Sequence, residues 1–184
     1  SCLFTEIFAA TGATLVAVDI SGEILNLARG RNLPTQQVTF LEKRFEECDV
    51  EGPFDAIIGS SILHHLEVEA SLVRIFEMLK PGGLISFAEP NMLNPQILVQ
   101  KNIPLVKRML GDSPDETAFV RWQMAKQLTS VGFEDVSVTP HDWLHPATPR
   151  PLIPAVRKLG FWLEVTPGLR ELAGSVFIRA KRPV

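Results

Sequence analysis

An α/β fold with a mainly parallel sheet follows from three features of this 184-residue sequence. Apolar runs of strand length alternate with segments of helical period. The stretch 54–90 reads as strand, polar loop, amphipathic helix, Pro-Gly-Gly turn and second strand, a complete βαβ unit. The run 175–180 alternates apolar and polar residues, which adds one antiparallel strand at the end.

Taken in order, residues 3–11 place Phe4, Ile7 and Phe8 on one side of a helix, with Gly12 where a helix end favours positive φ. Leu15-Val16-Ala17-Val18 is a β-branched run that predicts a strand closing on Asp19. Ser21 is a candidate N-cap for a helix through Arg29, with Ile24, Leu27 and Ala28 facing inward. After the breaker Leu33-Pro34-Thr35, a third short strand runs over 38–41, and the charged segment 42–51 returns across the surface.

The block Ala56-Ile57-Ile58, bounded by Gly59 and two serines, predicts a strand buried on both faces. Leu72, Ile75, Phe76 and Leu79 stand at i, i+3, i+4 and i+7 of a helix that Pro81 stops. Gly82 and Gly83 then supply the turn into a strand over 84–88. Beyond Pro90, helical stretches over 96–110 and 116–131, broken at Gly111-Asp112-Ser113-Pro114, read as a cap over about 91–131. A strand over 136–138, a proline-rich irregular loop over 140–154 and one more helical piece precede the last strand. The whole reads as one domain over 1–184, without internal repeats.

Composition narrows the function. A hydrophobic content of 46% supports a full core, while a net charge of −3 and a pI near 5.8 offer no broad basic surface for nucleic acid. A small-molecule partner is the expectation. No apolar run reaches the roughly 20 residues of a membrane span. Cys2 and Cys48 lack the spacing of a zinc site or a disulfide framework, which fits a reducing, cytoplasmic setting. The pairs Lys107-Arg108 and Lys181-Arg182 read as solvated surface. His141 and His145 are four apart, but Pro140 and Pro146 flank them, so a loop is expected there and no metal site is read.

Asp19 is the first residue with chemistry to offer. A carboxylate at the end of such a strand can accept both hydroxyls of a ribose, normally about 20 residues after a glycine-rich turn. Counting back reaches the start of the sequence, so those glycines are not in it. The simpler alternative is that Asp19 caps the turn at Ser21.

Val16-Ala17-Val18-Asp19-Ile20-Ser21, Phe54-Asp55-Ala56-Ile57-Ile58, Leu63-His64-His65-Leu66 and Leu79-Lys80-Pro81-Gly82-Gly83, in this order and spacing, resemble the class I S-adenosylmethionine-dependent methyltransferases. The likeness covers about half the chain, residues 3–90. It implies a Rossmann-like sheet of order 3-2-1-4-5-7-6 whose seventh strand, here 175–180, is antiparallel. It also implies S-adenosyl-L-methionine as cofactor, with Asp19 on the ribose and Ile20 against the adenine. The family's acidic residue after strand three falls on Arg44, beside Phe45. An arginine has only donors, so Glu42 or Glu46 takes that part or the contact is lost. Ser60 and Ser61 would lie near the methionine portion, and His65 over the donor methyl as the catalytic base, with His64 turned elsewhere. The alternative for His65 is a capping or packing role.

Glu89 and Asn91, after strand five, and Trp122 in the cap are the substrate-side candidates, Glu89 having loop anchoring as its alternative. At the N-terminus Cys2 stands where the family has a glycine, and the earlier glycines and first strand are missing. The expectation is a piece of a longer chain with poor cofactor affinity. The function implied is methyl transfer to oxygen or carbon of a small acceptor, hydrophobic because the cap carries Ile97, Leu98, Val99, Leu105, Met109 and Leu110. The competing readings are an inactive methyltransferase-like interaction module and an NAD-dependent oxidoreductase.

Overall fold

The computed structural model describes every residue except 1, 2, 32, 34, 35, 51, 112, 114, 115 and 146, and the side chain of Leu3. The chain divides into two compact units, Ser1–Val50 and Glu51–Val184. Their strands form separate sheets of two and four. No described strand is hydrogen-bonded to both.

In the first unit, helix α1 (Leu3–Ala9) precedes β1 (Leu15–Asp19), helix α2 (Gly22–Arg29) and β2 (Val38–Glu42). The strands are parallel and in register from Leu15 opposite Val38 to Asp19 opposite Glu42. Ser21 caps α2 as expected, its Oγ accepting from Ile24 N at 3.3 Å. The buried stripe is different from the one read. Leu25 and Ala28 are fully buried, while Leu27 is 67% exposed. Two turns of helix give too short a period to separate a stripe at 24, 27 and 28 from one at 25 and 28. Ala9, Leu33 and Val38 form the small core, with Leu15 and Phe40 against it.

The second unit contains the βαβ element: β3 (Phe54–Ser60), helix α3 (Val68–Met78) and β4 (Leu79–Pro90). Helices α4 (Pro95–Asn102), α5 (Pro104–Leu110) and α6 (Arg121–Val131) follow, then β5 (Glu134–His141), helix α7 (Ile153–Val165) and β6 (Ser175–Lys181). Strand order is β3-β4-β6-β5, with β3 parallel to β4 and β6 antiparallel to both its neighbours. The two sheets thus contain the 3-2 and 4-5-7-6 segments of the expected order, including the antiparallel seventh strand.

Several boundaries shift for identifiable reasons. Helix α3 ends at Met78, three residues before Pro81, and Leu79 already pairs with Phe54 in the sheet. The next pairing is Ala56 with Leu84, so the Pro-Gly-Gly turn is an irregularity carried within the strand. Gly82 adopts φ +79, and a Cβ on Gly83 would sit 2.9 Å from the Lys80 carbonyl and 3.1 Å from that of Phe54. Both glycines are therefore required.

The block 56–58 is not buried on both faces. Ala56 and Ile58, two apart and so on one face of β3, are both exposed. Pro104 splits the first cap helix into α4 and α5. The second begins only at Arg121, because Phe119 bridges in parallel fashion to Asn91. Pro140 and His141 belong to β5 rather than to the loop. The core packs Leu72 and Ile75 of α3 and Met124 and Leu128 of α6 with Ile85, Val138, Val176 and Ile178 of the sheet, all at most 8% exposed.

Arg182 is not the solvated tail residue that was read. Its Nη1 donates to the carbonyls of Phe76, Glu77 and Leu79 at 2.9, 3.1 and 2.6 Å, and its guanidinium lies 4.9 Å from the Phe76 ring centroid. Its backbone N–H bonds Gly83 O at 2.8 Å, and its carbonyl accepts from Gly82 N at 3.0 Å. One arginine thus satisfies the carbonyl end of α3 and pins the turn that follows. Arg182→Ala is expected to lower stability by about 2 kcal/mol, seen as a fall in urea midpoint at constant slope. Arg182→Lys should recover only part of it, because an ammonium lacks the planar fork.

Candidate functional site

In the second unit the site is built at the carboxyl ends of β3 and β4. Ser61, one residue past β3, adopts φ +52, an unusual conformation for a residue with a side chain, while its N–H bonds Ala88 O at 2.8 Å. The chain then makes a 3-10 turn over Leu63–His65. Glu89 of β4 fixes that turn. Its Oε1 accepts from the N–H groups of Ile62 and Leu63, each at 3.0 Å, and its Oε2 lies 2.8 Å from Nδ1 of His64. The Glu89 side chain has no exposed surface and that of His64 only 7%. With Oε1 taken by two backbone donors, Oε2 is the carboxylate oxygen that faces Nδ1 of His64.

His65 stands beside it. The two imidazole centroids are 4.0 Å apart and tilted by 39°. Nδ1 of His65 lies 3.4 Å from Oε1 of Glu116, a residue of the cap segment. Glu116 is held in turn by Lys101 of α4 at 2.8 Å and by Ser113 N at 3.1 Å. Burial would raise the Glu116 carboxyl, but the hydrogen bonds from Lys101 and Ser113 and the charges of Lys101 and His65 outweigh it and lower the value below 4.5. Among the described residues, His64, His65 and Glu116 form a group whose ligand-type atoms all lie within 4.8 Å of one another.

The other substrate-side candidates are placed differently. Asn91 is 1% exposed, its Nδ2 donating to Glu171 O and Ala173 O at 2.8 Å each and its Oδ1 accepting from Leu93 N. Its polar atoms tie the end of β4 to the segment before β6. Glu89 anchors the loop after β3. Trp122 is 55% exposed, with the Arg121 guanidinium 5.1 Å from its ring. Ser60 is exposed at the end of β3. The 490 Å³ groove lined by Trp143, Val156, Phe161 and Glu164 shares no residue with the site.

The first unit presents its own carboxyl edge. Oδ1 of Asp19 accepts from Ser21 N at 2.9 Å, the turn-capping role weighed above. Its Oδ2 has no partner among the described residues, so capping and ribose binding are compatible. Ile20 follows, 66% exposed. Glu42 ends β2 opposite Asp19, and its carboxylate lies over α2, where a Cβ on Gly22 would be 2.5 Å from Oε2. Arg44 faces Glu46 at 3.8 Å, with its own side chain 61% exposed. Of the two acids considered in place of Arg44, Glu42 is the one beside the Asp19 turn. Phe45 opens the next 3-10 turn, and Cys2 lies outside the described residues. A ribose-bearing cofactor therefore fits the acceptors this unit presents, Asp19 Oδ2 and Glu42, with Ile20 as an apolar face.

Residues 1–87 match the methyltransferase domain family. The fold is shared with an S-adenosylmethionine-dependent methyltransferase from Mesorhizobium loti, with a TM-score of 0.68 at 16% identity over 98% of this chain and 86% of that one. An N-methyltransferase from Bradyrhizobium japonicum in complex with S-adenosyl-L-homocysteine aligns at TM-score 0.61 and 15% identity, covering 99% and 73%. Sheet order and the family match over residues 1–87 place the fold with that of the class I S-adenosylmethionine-dependent methyltransferases. Among curated relatives, the ubiquinone biosynthesis O-methyltransferase of Colwellia psychrerythraea is 31% identical over 122 residues, 62% of this chain and 48% of that protein. The chain thus spans about half the length of the relative.

Sequence reasoning missed Glu116 and Lys101. Glu116 reaches His65 from about 50 residues downstream, with Lys101 bonded behind it, which no local pattern announces. Two outcomes test the site's architecture. Glu89→Ala should cost about 3 kcal/mol, because it leaves one buried and one part-buried N–H group and a buried imidazole without their acceptor, and amide exchange should quicken at Ile62 and Leu63. Glu116, whose folded value is lowered, contributes stability that is present above about 4.5 and lost as pH falls through that lowered value. Melting temperatures between about pH 3 and 6 should therefore fall less steeply for Glu116→Gln than for the native chain.

Proposed function

We propose that the protein transfers a methyl group from S-adenosyl-L-methionine to an oxygen of a small hydrophobic acceptor. The observation that carries this reading is the His65–Glu116–Lys101 array beside the loop that Glu89 anchors. It supplies a base, its carboxylate and that carboxylate's counterion. The cofactor, when bound, supplies a methyl group already activated on a sulfonium centre. The protein's task is then alignment and removal of the acceptor's proton.

In this reading Asp19 and Glu42 hold the ribose and the adenine side, and Ile20 and Phe45 give apolar surface to the base. Ser60 and Ser61 contact the methionine portion. His65 takes the proton of the acceptor hydroxyl on Nε2, its Nδ1 face being toward Glu116, and the ionised Glu116 steadies the imidazolium that results. Glu89 and Asn91 are positioning residues. The hydrophobic acceptor is supported by Leu98, Val99, Leu105, Met109 and Leu110 of α4 and α5, each 47–76% exposed. Oxygen is favoured over carbon because the curated relatives carry the name O-methyltransferase.

A cytoplasmic setting belongs to the same reading, supported by a sequence whose two cysteines lack the spacing of a disulfide framework. Among the described residues no helix is long and apolar enough to cross a membrane. The test is calorimetry of the purified protein with S-adenosyl-L-homocysteine, followed by transfer of labelled methyl to a panel of phenols, catechols and amines. Saturable binding and labelling of hydroxylated aromatics are expected, with a 10²–10⁴-fold loss of kcat in His65→Ala. Binding without transfer to any acceptor would favour the inactive module, and labelling of amines alone would overturn the oxygen acceptor.

A further inference from the structure

We propose that the outward face of α7 is the contact surface of a symmetric dimer, its occupant a second copy of this chain. The helix is held with one side fixed inward. Gly160 is buried, and a Cβ there would sit 3.1 Å from Cβ of Trp143, so this side lies close against the segment before η-turn and helix. Oε1 of Glu164, one turn on, accepts from Asp142 N at 2.9 Å and sets the same orientation. At about 100° per residue, the positions opposite and beside Gly160 are Ala155, Lys158, Leu159, Phe161, Trp162 and Val165. Lys158 is the single charge among them. Leu159, Phe161, Trp162 and Val165 are each 57–61% exposed, and the Phe161 and Trp162 rings stand edge to face with centroids 6.0 Å apart. A helix apolar all round is ordinarily a buried helix, yet half of this one faces solvent.

The face has the size that a second copy needs. Leu152 and Leu169, 53% and 46% exposed, extend it at either end. With the four residues above they leave roughly 600 Å² of apolar surface uncovered, at the upper limit for the largest patch on a monomer and about three-quarters of the ~800 Å² that each partner gives to a standard interface. Ala155 and the Lys158 stem lie in the same face and add to it. The face also matches itself. In an antiparallel crossing centred on Gly160, position 158 lies across from the partner's position 162, and 155 from 165. Lys158 then meets the partner's Trp162 and small Ala155 meets the partner's Val165, each contact made twice by symmetry. An ammonium over an indole is favourable, so the one charge of the face is answered inside the interface. Leu159 and Phe161, on the two flanks, each meet their own symmetry copy.

A lipid surface is the competing occupant for an apolar helix face, and the position of the charge argues against it. Helices that lie in a bilayer interface carry their lysines and arginines on the side opposite the apolar one. Lys158 stands in the middle of the apolar side. Insertion would carry its ammonium toward hydrocarbon, whereas the dimer sets it on an aromatic ring. The face shares no residue with the His65–Glu116–Lys101 array, and the pairing does not depend on the methyl-transfer reading.

The experiment is sedimentation equilibrium of the purified protein between about 1 and 100 μM. A reversible equilibrium is expected, with the mass rising to twice that of the chain. Trp162→Glu should weaken the dimer at least about 100-fold, because it removes a central aromatic anchor from both copies. Lys158→Glu should weaken it at least about 10-fold, and Lys158→Arg, which keeps the cation, should retain it. Met109→Glu, on an exposed apolar residue of α5, should leave the mass unchanged. Circular dichroism of each variant separates loss of pairing from loss of fold. A chain that stays monomeric to 100 μM, or a dimer that Trp162→Glu leaves intact, would overturn the proposal, and unchanged affinity in Lys158→Glu would overturn the crossing on Gly160. Flotation of monomer with phosphatidylglycerol vesicles, abolished by Trp162→Glu, would assign the face to lipid and overturn it as well.

Discussion

A carboxylate with no exposed surface governs where the loop after β3 can run. Glu89 sits in the middle of the sheet's carboxyl edge and answers two backbone N–H groups and one imidazole, which an apolar side chain could not do without leaving three buried polar atoms unsatisfied. The constraint runs in both directions. The loop must fold as a tight 3-10 turn to bring Ile62, Leu63 and His64 to one acceptor, and β4 must be registered so that position 89 faces them. Gly83, which lets the chain pass close to two carbonyls, and Ser61, held at positive φ, are the backbone concessions that make this registration possible. His65 is thereby placed next to an anchored ring.

The βαβ unit was legible in the sequence because its signals are local: the 3.6-residue stripe of α3, the Pro-Gly-Gly turn, the short β-branched strands. Strand order came from the resemblance, while the antiparallel final strand was already read from the pattern of 175–180, and β6 agrees with both. What local pattern could not convey were the long-range hydrogen bonds. Glu89 and Asn91 stand at the end of a strand, where polar residues ordinarily face a ligand, and only the three-dimensional structure shows their polar atoms turned inward. Glu116 is silent in sequence for the same reason: its meaning depends on Lys101 and His65, reached by tertiary packing. The rotation of α2 by one position was illegible because eight residues cannot define a stripe.

The two strands of the first unit end on a pair of carboxylates, Asp19 and Glu42. Asp19 was weighed as either a turn cap or a ribose acceptor, and the geometry removes the opposition, since each oxygen can serve one purpose. Arg44 departs from the family pattern, yet Glu42, two residues earlier and paired with Asp19 across the strands, restores an acceptor at that edge. A carboxylate lost at one position and present at a neighbouring one conserves the charge the site offers while changing the angle from which it is offered.

Arg182 gives the molecule an order of events. The carbonyls that end α3 lie more than 100 residues before the guanidinium that answers them, and the turn after α3 is hydrogen-bonded to the same residue. During synthesis, helix and turn leave the ribosome long before their partner does. The βαβ unit must therefore persist for several seconds with its helix end open to water, at synthesis rates of about 5–20 residues per second. It locks only when β6 slides in beside β4 and carries the arginine past the end of the helix, so completion of the four-stranded sheet and arrival of the final strand are a single step in the life of the nascent chain.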